Sequence, residues 1–386
     1  MIKDLVARES LRQQEQISLI ASENYASGAV KAALASDLTN KYAEGYPGKR
    51  YYAGNSVVDE IETEVIKLAQ QAFNTDYHVN VQAYSGSIAN LAVYFATLKP
   101  GDPFMGLELS HGGHLTHGHP VTISGKLYDR YAYFVDQESQ LIDYDQLESE
   151  AAEIKPKLII SGASAYSRPI DFERISKIAH SVGAFHLADI SHISGLIIAG
   201  LHPSPFGPST KLGAGNADYV MTTTHKLLRG PRGTLLFCKE ELAAGLDKAI
   251  FPGIQGGPHI NTIAAIGVCL EEALQPEYKK YIESVKENAQ VLANELAKNG
   301  LTIISGGTDN HLMLIDLRPL KISGTEAQDK LEAAGIIVNK NAVPYDEAPP
   351  MNPSGIRIGT PAITTRGMKP TDMPELAKKI VGVLKN

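Results

Sequence analysis

The sequence predicts an α/β protein, with a mainly parallel sheet covered by helices on both faces and a smaller α/β unit after it. Three observations carry this expectation. The 386 residues exceed the roughly 250–300 at which a single hydrophobic core stops growing, so two units are expected. Short apolar runs recur at Val79–Ala83, Leu158–Gly162, Phe185–Ala188, Tyr219–Thr223 and Thr234–Cys238, several of them separated by segments of helical period. That order is the one that lays parallel strands under crossover helices. A second series of strands then follows near His311–Leu317, Ile336–Val338 and Gly355–Ile358, with helices between and after them. The expected division is an N-terminal stretch over 1–57, a large unit over 58–270 and a small unit over 271–386.

Taken in order, the first residues, MIKDLVARESLRQQEQ, are polar with a helical pattern and lack the apolar centre of a signal peptide. The segment AEGYPGKRYYAGN reads as loop, because Gly45, Pro47, Gly48 and Gly54 break any regular period. From Asp59 to Phe73 the apolar residues Ile61, Val65, Leu68, Ala69, Ala72 and Phe73 keep helical spacing. The run Val79–Ala83 leads through Ser85-Gly86-Ser87 into a helix over Ile88–Leu98. A long helical stretch from Asn261 to Asn299 is expected to break at Pro276.

Composition excludes several classes. Net charge is −7, from 36 basic and 43 acidic side chains, which argues against a nucleic-acid surface. No apolar run reaches the ~18 residues a membrane helix needs, so a soluble, cytoplasmic protein is expected. Cys238 and Cys269, the only cysteines, make no disulfide framework and read as buried small apolar residues.

In open α/β sheets ligands bind beyond the C-terminal ends of the strands. Those ends carry Ser85-Gly86-Ser87, Ser164, Asp189 with His192, and His225-Lys226. A lysine there can be a plain strand-end charge. It can also form a Schiff base once its amine is neutral, which burial and the neighbouring cations Arg229, Arg232 and His225 favour. Asp189 is either a helix N-cap or the carboxylate that keeps a pyridine nitrogen protonated. Ser85-Gly86-Ser87 is either a serine cap or the start of a phosphate-binding helix, and Gly256-Gly257 is a second place for close backbone approach. Neither a Walker A motif nor GxGxxG is present, which weighs against ATP and dinucleotides.

His111, His114, His117 and His119 fall within nine residues. No Cys or carboxylate lies in that run to fix a metal geometry. No metal is therefore expected, and one imidazole stacked on a planar cofactor is preferred. Arg357 can serve a structural ion pair or bind a substrate carboxylate bidentately. Glu44, among Tyr42, Tyr46, Tyr51 and Tyr52, is either solvated or an acid/base group held among rings.

The stretches LIASENYASGAV, NKYAEGYPGKRYYAGN, YSGSIANLAVY, SHGGHLTHG, SAYSRPIDF, LADISHISGL, TTTHKLLRGPRG, FPGIQGGP, SGGTDNHLMLIDL, VNKNAVP and SGIRIGTPAITTRG resemble serine hydroxymethyltransferase across nearly the whole chain. The resemblance implies the aspartate-aminotransferase fold (fold type I) of pyridoxal 5'-phosphate (PLP) enzymes, working as a homodimer or dimer of dimers with shared active sites. Residues 1–57 then serve as arm and interface, and 58–270 hold the cofactor. It implies that Lys226 carries PLP as a Schiff base, Asp189 pairs with the ring nitrogen and His114 stacks on the ring. Ser164 and His192 lie by the phenolic oxygen. Ser87, His225 and a neighbouring subunit's Gly257 attend the phosphate, and Ser85, Gly86, Thr223 and Tyr42 also join the cofactor site. Ser22, Tyr52, Arg232 and Arg357 line the amino-acid pocket. Glu44 is the acid/base residue and, with Tyr51, Leu109, Gly113, Leu115 and Asn341, contacts tetrahydrofolate.

The implied reaction interconverts serine and glycine with tetrahydrofolate as one-carbon acceptor, with a weak folate-independent cleavage of β-hydroxy amino acids beside it. A folate-independent aldolase or transaldolase of the same family is the near rival, and a non-catalytic binding protein the distant one. The chain departs from the family pattern at Ser191, usually Ala; Met221, in place of the first of four threonines; Ile254, where Gly is common; and a long insert, GPSTKLGAGNA. Its N-terminal arm also reads as short.

Overall fold

The central sheet of the computed structural model, which describes residues 1–207 and 215–385, has seven strands. Their order is His78–Asn80, Thr234–Cys238, Tyr219–Thr223, Phe185–Asp189, Leu158–Ser161, Pro103–Leu107 and Asp129–Tyr133. Thr234–Cys238 runs antiparallel to both neighbours, and every other pair is parallel. Tyr219–Thr223 and Leu158–Ser161 are buried along their whole length, which is why they read as unbroken apolar runs: helices cover both faces. Two strands have no such run. Pro103–Leu107 contains Pro and Gly, and Asp129–Tyr133 alternates between exposed and covered positions at the sheet edge, where charge discourages further pairing.

The helix Ser56–Phe73 buries Val58, Val65, Ala69, Ala72 and Phe73 at helical spacing and ends at Asn74 in the left-handed conformation. The long C-terminal stretch does break at Pro276, giving helices Ile260–Ala273 and Pro276–Lys298. Pro276 occupies the first helical position, where its missing N–H costs nothing. Tyr278, Ile282 and Val285 of the second helix lie in the core of the large sheet, and Ala289, Leu292 and Leu296 in the core of a second sheet. One helix therefore ties the two cores together.

That second sheet has four antiparallel strands, Thr302–Ile303, Leu312–Asp316, Gly355–Gly359 and Asn339–Asn341. The run at Ile336–Ile337 lies outside it and pairs in parallel with Ile17–Ser18. Leu19 is buried in the second core, whereas Val30 and Ala43 are buried in the first. The N-terminal stretch thus threads from one core to the other. The helix Ile2–Glu15 before it has no buried residue. Both cysteines are buried and free. The insert at 207–217 falls mostly outside the described residues, and no described helix is long and apolar enough to cross a membrane.

Candidate active site

The ends of the parallel strands open on a cavity of about 420 Å³. Lys226 follows Tyr219–Thr223, Asp189 ends Phe185–Asp189 and Ser164 follows Leu158–Ser161; all three line it. Ser22 reaches it from the N-terminal stretch and Arg357 from the second sheet, so the cavity lies where the two cores meet. Asn24 fixes that junction by donating to the Lys226 carbonyl at 3.0 Å and to the Tyr281 hydroxyl at 2.8 Å.

Lys226 is half-buried in the cavity wall and its pKa falls to about 8: burial disfavours the ammonium, Asp189 opposes that, and Arg357 and Arg232 add to it. Arg229, expected to help, lies instead over the Tyr281 ring at 4.2 Å. Burial also opposes ionisation of Asp189. The His117 hydrogen bond and charge interactions with His117, His114 and Lys226 outweigh it, and the carboxyl is held well below its usual range. Asp189 Oδ2 accepts from Asn90 at 3.1 Å and lies 3.1 Å from His117 Nε2, and Oδ1 accepts from Ser191 N–H. The N-cap alternative fails, because the next helix, Ser194–Ile198, is capped at Ile193 and the Asp189 carboxylate lines the cavity.

Arg357 donates to Asn339 Oδ1 at 3.1 Å and to the Ser164 carbonyl at 2.7 Å. Burial lowers its pKa to about 10. No carboxylate among the described residues pairs with it, so the ion-pair alternative also fails. A buried guanidinium without a counter-charge favours an incoming carboxylate.

On the opposite wall Ser85 precedes the helix Gly86–Thr97 and makes no side-chain cap bond. The serine-cap alternative is not realised. Thr223 Oγ1 and His225 Nδ1 are buried here without a hydrogen-bond partner. A Cβ at Gly86 would come within 2.9 Å of Thr223 Cγ2, so only glycine leaves this corner open. Free helix N–H groups, orphaned donors and Arg232 suit a phosphate, and the anionic Asp189 across the cavity suits a protonated ring nitrogen. The residues present fit PLP.

Within the histidine run, His114 lines the cavity and burial lowers its pKa to about 4. Its Nδ1 accepts from Thr116 N–H. His111 is buried away from it, accepting from Val135 N–H. The run has no carboxylate of its own, but the fold supplies one: ligand atoms of His114, His117 and Asp189 lie within 4.8 Å of one another. Sequence proximity could not reveal that.

The remaining expected residues lie elsewhere. Tyr42, Glu44, Tyr51 and Tyr52 flank the hairpin Gly45–Tyr46 and Lys49–Arg50 and do not line the cavity. Arg50 pins that hairpin to Asp59 and Glu62. Tyr42 donates to Glu44 Oε1 at 3.2 Å, and Gly257 packs beside Tyr42 and Glu44. Leu109, Gly113 and Leu115 sit around His114, with Leu115 exposed, and Asn341 ends the edge strand of the second sheet. Gly113 touches the Leu107 carbonyl so closely that no Cβ fits there.

Sequence reasoning missed Asn24, Asn90, Tyr84 and the role of His117. Their sole signal was position inside motifs already noted. Ser191 and Met221, two departures from the family pattern, line the cavity together, with Ser191 Oγ 3.5 Å from Met221 Sδ.

A mostly parallel seven-stranded sheet, with a half-buried lysine facing a buried ionised aspartate at its strand ends, defines a PLP enzyme of fold type I. The family model described as serine hydroxymethyltransferase matches residues 1–380. A serine hydroxymethyltransferase of Endomicrobium trichonymphae is 55% identical over 386 residues, covering 100% of this chain and 91% of that protein. The chain belongs to the serine hydroxymethyltransferase family.

Proposed function

We infer that this chain interconverts serine and glycine, moving a one-carbon unit to or from tetrahydrofolate to give or consume 5,10-methylenetetrahydrofolate. The observation that supports it most is the cavity's charge arrangement: a half-buried lysine of lowered pKa, an ionised buried aspartate and a buried arginine without a counter-charge. PLP bonded through Lys226 supplies an electron sink for the carbanion left when the Cα–Cβ bond of serine breaks. Asp189 holds the ring-nitrogen proton and His114 covers the ring face. Ser164 and His192 meet the phenolic oxygen, and Ser85, Gly86, Ser87, Thr223 and His225 take the phosphate. Arg357 orients the substrate carboxylate, with Ser22, Tyr52 and Arg232 completing the amino-acid pocket.

Glu44 takes and returns the hydroxyl proton. Since Tyr42, Glu44, Tyr51, Tyr52 and Gly257 form one outward-facing cluster, we assign them to the cavity of a second copy, in a cytoplasmic homodimer or dimer of dimers. Tyr51, Leu109, Gly113, Leu115 and Asn341 contact the folate. The division at residues 57 and 270 belongs to the same reading.

Borohydride reduction of the purified, yellow protein should fix pyridoxyl mass on the peptide that contains Lys226. Serine with tetrahydrofolate should yield glycine, and Lys226→Ala should slow this by roughly 10³-fold or more. A label on another lysine, or brisk cleavage of threonine with no response to folate, overturns the assignment.

A further inference from the structure

We infer that Tyr84 is a positioning residue that acts on the cavity of the second copy rather than on its own: its hydroxyl holds the Gly256-Gly257 loop in the shape that reaches the partner. Tyr84 lines the cavity of its own chain, and Gly257 does not. Its hydroxyl nevertheless donates to the Gly257 carbonyl, at 2.6 Å. A carbonyl only accepts, so the sense of this bond is fixed. Burial and then the Glu44 charge raise the phenol's pKa, so the donated proton is kept at neutral pH. The ring is stacked on His259, with centroids 4.3 Å apart and 8° between the planes.

One short segment, residues 82–84, fixes the loop. The Gln255 carboxamide reaches it twice: Nε2 donates to the Gln82 carbonyl, and Oε1 accepts from Tyr84 N–H at 3.4 Å. The Gln82 side chain in turn donates to the Gly45 carbonyl at 3.0 Å, in the hairpin of the outward-facing cluster. The same segment runs directly into Ser85-Gly86-Ser87. It therefore backs the phosphate corner of one cavity and the cluster assigned to the other.

The loop still has donors to offer. Among the described residues neither Gly256 N–H nor Gly257 N–H has a hydrogen-bond partner, and Gly256 is exposed. A second copy that covers this face buries those groups, and buried N–H groups must find acceptors. Under the proposed function, on which this role rests, the acceptor is the cofactor phosphate in that copy's cavity. Two successive glycines have the widest backbone freedom, and an unrestrained pair loses it on docking. The Tyr84 bond removes part of that freedom beforehand, so its worth is read as PLP affinity in the partner.

The test is PLP affinity in hybrid dimers, made by coexpressing two differently tagged chains, stripped of cofactor and retitrated with PLP. Borohydride fixation and intact-chain mass spectrometry count the occupied Lys226, so a hybrid with Lys226→Ala in one chain reports only the cavity of the other. When the Lys226→Ala chain also carries Tyr84→Phe, the reporting chain is wild type and the loop facing its cavity is not. Half-occupancy should then need about three- to tenfold more PLP than with Lys226→Ala alone, the worth of one neutral hydrogen bond. When Tyr84→Phe sits in the reporting chain instead, the requirement should stay within about twofold of that reference. A defect in this second hybrid, or none in either, overturns the inference. Tyr84→Phe keeps the ring that stacks on His259, so only the hydroxyl is tested. Failure of Glu44→Gln and Lys226→Ala chains to complement each other would sink the shared-site reading itself. Complementation there, with no effect of Tyr84→Phe across the dimer, would sink the role of Tyr84 alone.

Discussion

Around Lys226 the reactive side chains line a cavity beyond the strand ends and are buried or half-buried. From Tyr42 to Tyr52 they flank a short hairpin and face outward, with Tyr42, Tyr51 and Tyr52 at 56%, 75% and 48% exposure. The first region is electrostatically finished within one chain. Burial and fixed charges have already moved Lys226, Asp189 and Arg357 from their ordinary protonation behaviour, and no ligand is needed to do so. The second has its backbone fixed, by Arg50 bonding Asp59, Glu62 and the carbonyls of Ala43 and Gly45, but the tyrosine rings around Glu44 are still exposed to water. A carboxylate in water is a poor catalyst because solvent screens it. The contrast teaches that rigidity and desolvation are supplied separately: the chain provides the first in both places and the second in only one. A second surface must close over the tyrosines, and under the proposed reading that surface is another copy.

The sharpest way to break this comparison is to disable each region in a different chain. Glu44→Gln alone should lower folate-dependent serine cleavage by about 10²–10⁴-fold, the usual worth of a positioned acid/base group, with the visible spectrum of the cofactor unchanged. Unfolding Glu44→Gln and Lys226→Ala chains together and refolding the mixture should then restore about a quarter of wild-type activity. Half of the random dimers would be hybrids, each with one intact site. No recovery would place Glu44 and Lys226 of one chain in the same site and end the comparison.

Arg357→Ala tests whether the finished region depends on its unpaired charge. A charged hydrogen bond contributes about 1.5–3 kcal/mol, and ~1.4 kcal/mol is tenfold in affinity. Serine and glycine should bind at least tenfold more weakly by titration, while PLP content stays normal. Unchanged affinity would mean that another cation takes the carboxylate.

The smallest effect concerns pH. The reactive form of Lys226 is the deprotonated amine, and its pKa is lowered from 10.5 to about 8. The rate of PLP capture by apoprotein should therefore rise with pH, bend near 8 and level off above it, about tenfold in all from pH 7. A rate still climbing in proportion to hydroxide at pH 10 would show that burial does not tune this lysine. Glu44 should leave that profile unmoved if the two regions are independent before a second copy joins them.

Much of the finished region was legible in the residues. Strand ends carry ligands in this class of sheet, so Asp189, Ser164 and Lys226 could be read from where apolar runs stop. The Glu44 segment was legible as loop from its glycines, but nothing in its spacing says whether its tyrosines face inward or out. Two central-sheet strands were missed because Pro103–Leu107 and Asp129–Tyr133 carry Pro, Gly and charge where the pattern expects apolar residues. Arg229 shows the limit of arguing from proximity. Three residues from Lys226, it adopts a left-handed backbone and lies over Tyr281, whereas the distant Arg357 joins burial and the nearer Arg232 in lowering the lysine's pKa.

The sequence by itself determined the class of sheet, the break at Pro276 and which side chains end the strands, because hydrophobic period, proline geometry and strand polarity are local properties. Only the tertiary structure decided what surrounds those side chains. Asp189 meets His117 and Asn90, Arg357 stays unpaired, the N-terminal stretch enters both cores, and His311 backs His192. Burial and hydrogen-bond partners are set by residues far apart in the chain, and these alone move a pKa.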